Sequence, residues 1–435
     1  MNTEAKLKAP AESAPGGGEH QGFAKSRALF ERASEVVPGG IYGHVTPALL
    51  EPGESPYYAA RAQGCRYEDV DGNAYLDFMC GYGPIVLGHG HPEVEEAVTR
   101  ARAAGVCLNH PTETMVELAE RLVGLIDFAD WAVFAKNGSD VTTWCVQVAR
   151  EATGRRKILT VEGAYHGWAP WCTPGHGGLL EEDRAHIAQF RWNDSQSLQD
   201  AVTRHAGDIA AVMLTPFHHP MYVGSTLPDP EFVEAVNTVC EHEGILLIVD
   251  DIRGGFRINL NGSHREFGFT PDLGCYCKAL ANGYPISAAV GSARLKAAAS
   301  RVFLTGSYWN GPAEMVAALA TLHIIERDDV VGQLRERGTR FMRGLESAAG
   351  RAGFDVQLTG PPALPFMTFA DDPGYRLRHA FARRCFRAGL FLHPHHNWFL
   401  CAAHDDQAIA EALATATQVF EQLAEYGPDD WAGAD

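Results

Sequence analysis

Short apolar runs alternate along this chain with longer segments in which apolar residues recur every three or four positions. A short apolar run bounded by turn residues reads as a strand buried on both faces, and the longer period reads as an amphipathic helix. On that basis WAVFAK (131–136) predicts a strand and DVTTWCVQVAREATG a helix after it. KILTVEG (157–163), IAAVMLTP (209–216) and GILLIVDD (244–251) predict three more strands, the last preceded by a helix over PEFVEAVNTVCEHEG. Strand, helix, strand with both strand faces apolar predicts a parallel sheet covered by helices. Beyond 313 the texture changes. AEMVAALATLHIIERDD and VVGQLRERGTRFMRGLESAAGRAG predict helices, and ALPFMTFA and WFLCAAH short strands. The expected fold is α/β. A large domain with a mostly parallel sheet spans 76–330, and a smaller α+β domain spans 331–435. Residues 26–75 are expected to pack with the small domain. Residues 1–25 are polar and glycine-rich and are expected to be disordered.

Composition narrows the class. Of 435 residues, 46% are hydrophobic and 21% charged, ordinary for a globular protein. No apolar run approaches the ~20 residues of a membrane span, and the N-terminal stretch lacks the apolar core of a signal peptide. A cytoplasmic location is therefore expected. Ten cysteines without a CxxC pair suit free thiols in a reducing compartment. Cys275 and Cys277 would share one face of a strand, where core packing is the simplest role. The formal net charge of −18 argues against a nucleic-acid surface. It favours either plain solubility or a cationic substrate drawn into a cleft. Histidine clusters at 89–91, 217–220 and 393–398 lack the spacing of a zinc site, so no metal is expected.

In open parallel sheets, ligands bind beyond the carboxyl ends of the strands. After WAVFAK come Asn137, Gly138, Ser139 and Asp140, then a helix. This is either a helix cap or a phosphate cup made of free amides, a glycine and a hydroxyl. After KILTVEG comes Tyr165, an ordinary tyrosine or a ring that stacks on a planar ligand. After GILLIV comes Asp250, a helix cap or a carboxylate that keeps a pyridinium protonated. Lys278 lies among small and apolar residues in LGCYCKALANGYP. By itself it reads as a stem that reaches water. In this order the four features fit pyridoxal 5′-phosphate (PLP): an amine for the aldehyde, an acid for the ring nitrogen, an aromatic for its face and donors for the phosphate.

Several longer motifs carry a family resemblance from about residue 30 to 425: VVPGGIYGHV, YEDVDGNAYLDFMCGYGPIVLGHGHPEV, EGAYHG, VDDIRGGFR with Lys278 downstream, TGSYWNGPAEMVAALATL and CAAHDD. The chain resembles the class III aminotransferases, PLP enzymes of fold type I. It looks most like their glutamate-1-semialdehyde aminomutase branch. The resemblance implies that Lys278 forms the Schiff base and shuttles protons, and that Asp250 pairs with the pyridine nitrogen. Ile252 and Tyr165 would cover the two ring faces, and Gly138 and Ser139 would bind the phosphate. Ser307 stands where the family has a threonine that reaches the phosphate of the neighbouring subunit, which implies a homodimer with shared sites.

Departures bear on the substrate. Thr46 stands where the aminomutase branch has a carboxylate-gripping arginine, and His396 where it has a glutamate. The Asp-Glu pair of the family is Asp250-Asp251 here. Losing the guanidinium removes a bidentate clamp and makes tetrapyrrole-precursor synthesis an unfavoured reading. Cys107 replaces a small hydroxyl residue and is either packing or a second proton carrier. With the acidic balance, these features resemble enzymes acting on the 6′-amine of gentamicin-type aminoglycosides. The favoured expectation is an epimerase of such a small cationic amine, using Lys278 and Cys107. Alternatives are an aminotransferase for that 6′-amine, a glutamate-1-semialdehyde aminomutase-like enzyme, or a non-catalytic PLP-fold partner protein.

Overall fold

The predicted apolar runs pair into one sheet in the computed structural model, which describes residues 20–43, 50 and 54–425. Seven strands lie in the order Trp131–Ala135, Ser287–Gly291, Leu273–Tyr276, Leu246–Asp250, Ile209–Leu214, Lys157–Val161 and Ile187–Phe190. The last five in this order are mutually parallel. Ser287–Gly291 is antiparallel to both of its neighbours, so the other six strands point the same way. Every residue of Ile209–Leu214 and Leu246–Asp250 is buried. Successive side chains of a strand point to opposite faces, and both faces here are covered. Met213 and Ile248 pack with Trp144 and Val148 of helix Gly138–Thr153. Val212 and Leu247 pack with Leu198, Phe232 and Val236 of helices Ser195–Arg204 and Pro230–Glu243. Two-sided burial is why these strands read as unbroken apolar runs.

Three strands of the sheet escape the apolar-run reading: Ile187–Phe190, Leu273–Tyr276 and Ser287–Gly291. The latter two are built from small residues because large neighbours press on them. A Cβ on Gly274 would meet Phe128 at 2.9 Å, and one on Gly291 would meet Trp131 at 2.3 Å.

A four-stranded sheet joins distant parts of the chain. Ala59–Gln63, Arg66–Asp69 and Ala74–Asp77 form an antiparallel meander. Leu390–Phe391 adds to it in parallel, with Leu390 opposite Leu76. Val356–Thr359 and Phe366–Phe369 form a hairpin beside helix Val330–Arg351. WFLCAAH, expected as a strand, forms no ladder. Its amides go alternately to two sides: Trp398 and Leu400 donate to Pro365 and Ala363, and Phe399 and Ala402 to Phe78 and Val86. Residues 1–19 of the expected disordered segment lie outside the described residues. Residues 20–25 are tied down: Phe23 is buried, Gln21 N–H donates to Asn73 Oδ1 and Lys25 N–H to Asp71 Oδ1. Among the described residues no helix is long and apolar enough to cross a membrane.

Arg257 ties these parts together. It is fully buried, and its guanidinium donates to the carbonyls of Gly83 (2.7 Å), Ile85 (3.0 Å) and Leu400. A buried cation without such acceptors would be costly.

Gly338 shows how tightly the long helix packs. A Cβ there would sit 2.0 Å from the carbonyl oxygen of Pro362. In an exposed helix Gly→Ala stabilises by about 1 kcal/mol; here the collision decides the sign. We expect Gly338→Ala to lower stability by about 1–3 kcal/mol, read as a reduced urea midpoint at unchanged m-value. An unchanged or raised midpoint rejects this packing.

Candidate active site

The carboxyl ends of five strands open into one cleft of about 420 Å³. Asn137, Gly138 and Ser139 follow one strand; Tyr165, His166, Gly167 and Trp168 follow the next. Thr215 and His219 follow a third, Asp250, Ile252 and Arg253 a fourth, and Cys277 and Lys278 a fifth. Gly81, Tyr82 and Pro84 close the cleft from the N-terminal part of the chain. Six of the eight candidates named from the sequence therefore meet in one place: Gly138, Ser139, Tyr165, Asp250, Ile252 and Lys278.

Asp250 is the last residue of its strand and is 4% exposed. Its Oδ2 lies 2.8 Å from Nδ1 of the buried His166, and its Oδ1 accepts the Ile252 N–H at 3.3 Å. His166 is itself held: Thr142 Oγ1 donates to its carbonyl at 2.8 Å, and Trp171 stacks on its ring. Sequence reasoning passed over His166. A carboxylate at an interior strand end needs an orienting partner, and the residue beside Tyr165 was positioned to be one. Asp251, next in sequence, faces away from the cleft and accepts the Ser263 N–H at 2.7 Å. Burial raises its pKa to about 7.

Lys278 follows strand Leu273–Tyr276 and opens a short helical turn with φ +41°. A non-glycine residue in this left-handed region is strained, which marks a position fixed by its surroundings. Asn282, four residues on, anchors the turn. Its side chain accepts from Val86 N–H (3.0 Å) and Leu87 N–H (2.8 Å) and donates to Gly88 O (2.9 Å). The Lys278 ammonium lies 5.8 Å from the centre of the Phe399 ring. Burial, reinforced by the Arg253 charge, lowers its pKa to about 7. Near neutral pH this lysine holds a substantial fraction of free amine, the form that attacks carbonyls.

The loop at the helix start is shaped by absent side chains. A Cβ on Gly138 would sit 2.6 Å from Ile252 Cδ1, and one on Gly167 would sit 2.3 Å from Ser139 Oγ. Gly167 has φ +123°. The first amides of helix Gly138–Thr153 have no intrahelical partner by geometry, and the dipole end there is positive. Ser139 Oγ accepts the Trp168 N–H at 3.1 Å and keeps its own hydrogen free. Capping falls to Asp140, whose carboxylate turns back to the Asn137 N–H at 2.8 Å. Free amine, anchored carboxylate, anion cradle and a flanking tyrosine are the donor set that PLP requires.

The other two candidates lie elsewhere. Cys107 and Ser307 are both exposed and sit together, with Cys107 Sγ 3.3 Å from the Ser307 carbonyl. Neither lines the cleft of its own chain, so Lys278 and Cys107 do not face one another within one protomer. Thr46 lies outside the described residues. Cys277, assigned to packing from its spacing, lines the cleft, while Cys275 is the buried one, 3.6 Å from Cys145. The strand ends between them, at Tyr276. Arg253 in the cleft was also missed. Among the described residues one group has metal-like composition: Cys80, Cys401 and His404, all buried, with donor atoms within 4.8 Å. The His404 Nδ1 lone pair accepts the Cys401 N–H at 2.9 Å, and its Nε2 is buried without a partner.

Residues 50–361 match the family model for aminotransferase class-III. The chain belongs to the class III aminotransferase family. It is a PLP-dependent enzyme with the α/β architecture of PLP fold type I. It is 44% identical to an aminopentol aminotransferase of Sphingopyxis macrogoltabida over 92% of this chain and 94% of that one. It is 36% identical to a 3-aminobutyryl-CoA aminotransferase of Cloacimonas acidaminovorans (strain Evry) over 93% and 97%. The solved structure of the FumI protein of Sphingopyxis sp. MTA144, in its PLP internal aldimine form, superposes with a TM-score of 0.91. That comparison has 43% identity and covers 95% of this chain and 98% of that one.

The lowered pKa of Lys278 gives a pH prediction. In the cofactor-free folded protein the amine loses its proton near pH 7, whereas in the unfolded chain it keeps it to ~10.4. Between these values the unfolded state binds more protons, so raising the pH favours folding. Lys278→Met, which removes the buried ammonium, should be more stable than the native protein below pH 7. That margin should shrink steadily as pH rises from 7 towards 10. Thermal melts of the cofactor-free pair across this range check it; a pH-independent margin contradicts it.

Proposed function

We propose that this enzyme is an aminotransferase that moves the amino group of a primary amine, one without a free carboxylate on the reacting carbon, to a 2-oxo acid. The observation that carries the reading is the pairing in one cleft of Lys278, its pKa lowered to about 7, with Asp250 anchored by His166. The substrate class is supported by the two relatives, named for aminopentol and for 3-aminobutyryl-CoA; the second is a thioester without a free carboxylate.

The roles follow from the donor set. Lys278 would hold the cofactor, release it to the incoming amine, then take and return the proton on the substrate carbon. Asp250 would keep the pyridine nitrogen protonated, with His166 fixing its carboxylate. Gly138, Ser139 and the helix start would bind the phosphate. Tyr165 and Ile252 would cover the ring faces. When bound, PLP supplies the aldehyde for amine exchange and the sink for the electrons released with the proton. Ser307 would serve the site of a second copy in a homodimer. Phe303 and Tyr308 beside it are 84% and 71% exposed, large ring surfaces that a second copy would cover. Free thiols at all ten cysteines support a reducing, cytoplasmic setting.

One earlier expectation weakens on physical grounds. The net charge suggested a cationic aminoglycoside, but the charged residues lining the cleft are Arg253, Lys278 and a single carboxylate, Asp250. An epimerase needs a second acid across the substrate from Lys278; Cys107 lies outside its own chain's cleft but beside Ser307, so in the proposed homodimer a neighbouring copy's Cys107 would have to supply it.

Two measurements test the reading. Borohydride reduction of the holoenzyme followed by peptide mapping should place the pyridoxyl group on Lys278; label elsewhere rejects the site. Amino polyols, 3-aminobutyryl thioesters and a 6′-amino aminoglycoside should then be offered with and without pyruvate. Pyruvate-dependent alanine formation with either of the first two is expected. Deuterium incorporation from D₂O with inversion and no acceptor would instead establish an epimerase.

A further inference from the structure

Arg253 stands out among the cleft residues because its charge is unmatched. It lines the same wall as Asp250 and Lys278 and is largely buried. Its recorded hydrogen bond runs from Nη1 to the amide oxygen of the buried Asn397, a neutral acceptor. Asn397 is in turn fixed, donating through Nδ2 to the Trp398 carbonyl at 2.8 Å. Among the described residues no carboxylate comes within ion-pair distance of Arg253, and Asp250 is engaged by His166. Arg257, four residues on, makes a contrast. It too has no carboxylate within ion-pair distance among the described residues, but three carbonyls engage its two Nη groups, and its Nε is left without a partner. A guanidinium presents five donors in a planar fork. One of Arg253's is spoken for, and the group opens onto a cleft. His219 lines the same cleft, and its Nε2 is buried without a hydrogen-bond partner. A partly desolvated cation with free donors, in one cleft with an unsatisfied ring nitrogen, is an arrangement that receives a planar anion.

We propose that Arg253, held by Asn397 and assisted by His219, is the subsite for the carboxylate of the second substrate, the 2-oxo acid or the amino acid made from it. This rests on the aminotransferase reading and extends it. That reaction brings two dissimilar molecules to one cleft in turn, an amine without a neighbouring carboxylate and an acid with one. The unmatched guanidinium gives the acid a grip that the amine does not need. Burial makes the charge-assisted bonds stronger than they would be in water. It also explains why the cleft retains a cation that opposes the charging of Lys278.

The test compares the native holoenzyme with Arg253→Gln, which can still donate to Asn397 without the charge, and Arg253→Lys, which keeps the charge without the fork. Three quantities are read: KM for pyruvate, KM for the amine, and Kd for propionate, a carboxylate that cannot react, by calorimetry. Arg253→Gln should raise the pyruvate KM and the propionate Kd by roughly ten- to a hundredfold, with a much smaller change for the amine; Arg253→Lys should recover part of the loss. Equal changes in both KM values, or an unaltered propionate Kd, overturn the proposal. So does a shifted cofactor absorbance and weakened cofactor affinity with pyruvate KM unmoved, since the guanidinium would then serve the cofactor. If propionate binding depends on Arg253 but the native enzyme transfers no amino group to pyruvate, the carboxylate subsite stands and the aminotransferase reading fails.

Discussion

The interior cation Arg257 sets the frame on which the site is built. A guanidinium with no water and no carboxylate must collect carbonyl oxygens. It takes them from Gly83 and Ile85 on one side and Leu400 on the other. Those segments are remote in sequence, and the Phe399 and Ala402 amides reinforce the join by donating to Phe78 and Val86. Once drawn in, Gly81, Tyr82 and Pro84 form one wall of the cleft. Phe399 lies under both Arg257 (5.4 Å) and the Lys278 ammonium (5.8 Å). The amides of residues 398–400 and 402 bond alternately to Pro365 and Ala363 on one side and to Phe78 and Val86 on the other.

Within this frame the chemistry depends on a deliberate imbalance of charge. One carboxylate, Asp250, is hydrogen-bonded to a histidine that is itself pinned by Thr142. Two cations face it, and they differ in kind. Arginine stays charged even when burial lowers its pKa to about 10, while lysine at about 7 gives up its proton within the working range. The fixed charge thus helps keep the titratable one reactive. A carboxylate seated on Arg253 would offset that field and so raise the proton affinity of the Lys278 amine.

Shape is set as much by missing atoms as by present ones. Gly138 lets Ile252 approach the helix start, and Gly167 lets Ser139 lie under its backbone. Gly274 and Gly291 do the same for Phe128 and Trp131 in the sheet beneath. Close backbone approach brings Gly138, Ser139, Tyr165, Ile252 and the Lys278 amine to the edge of one sheet.

The sequence by itself determined the strands buried on both faces, because two-sided burial demands uninterrupted apolar runs such as IAAVML and LLIVD. It also determined which polar residues stand at their ends, because a turn after such a run is where polar residues escape the core. Hence Ser139, Tyr165, Asp250 and Lys278 were legible before any coordinates. The strands LGCY and SAAVG were not, since their small residues answer to aromatic neighbours far along the chain. His166 and Arg253 acquire meaning only from partners 84 and 144 positions away. Cys107 looked chemical in sequence, yet its place beside Ser307 and outside the cleft is a fact of three dimensions. Local pattern reports what a residue must be near on average, water or core. Which charge it meets there depends on how distant segments converge, and only the tertiary structure decides that.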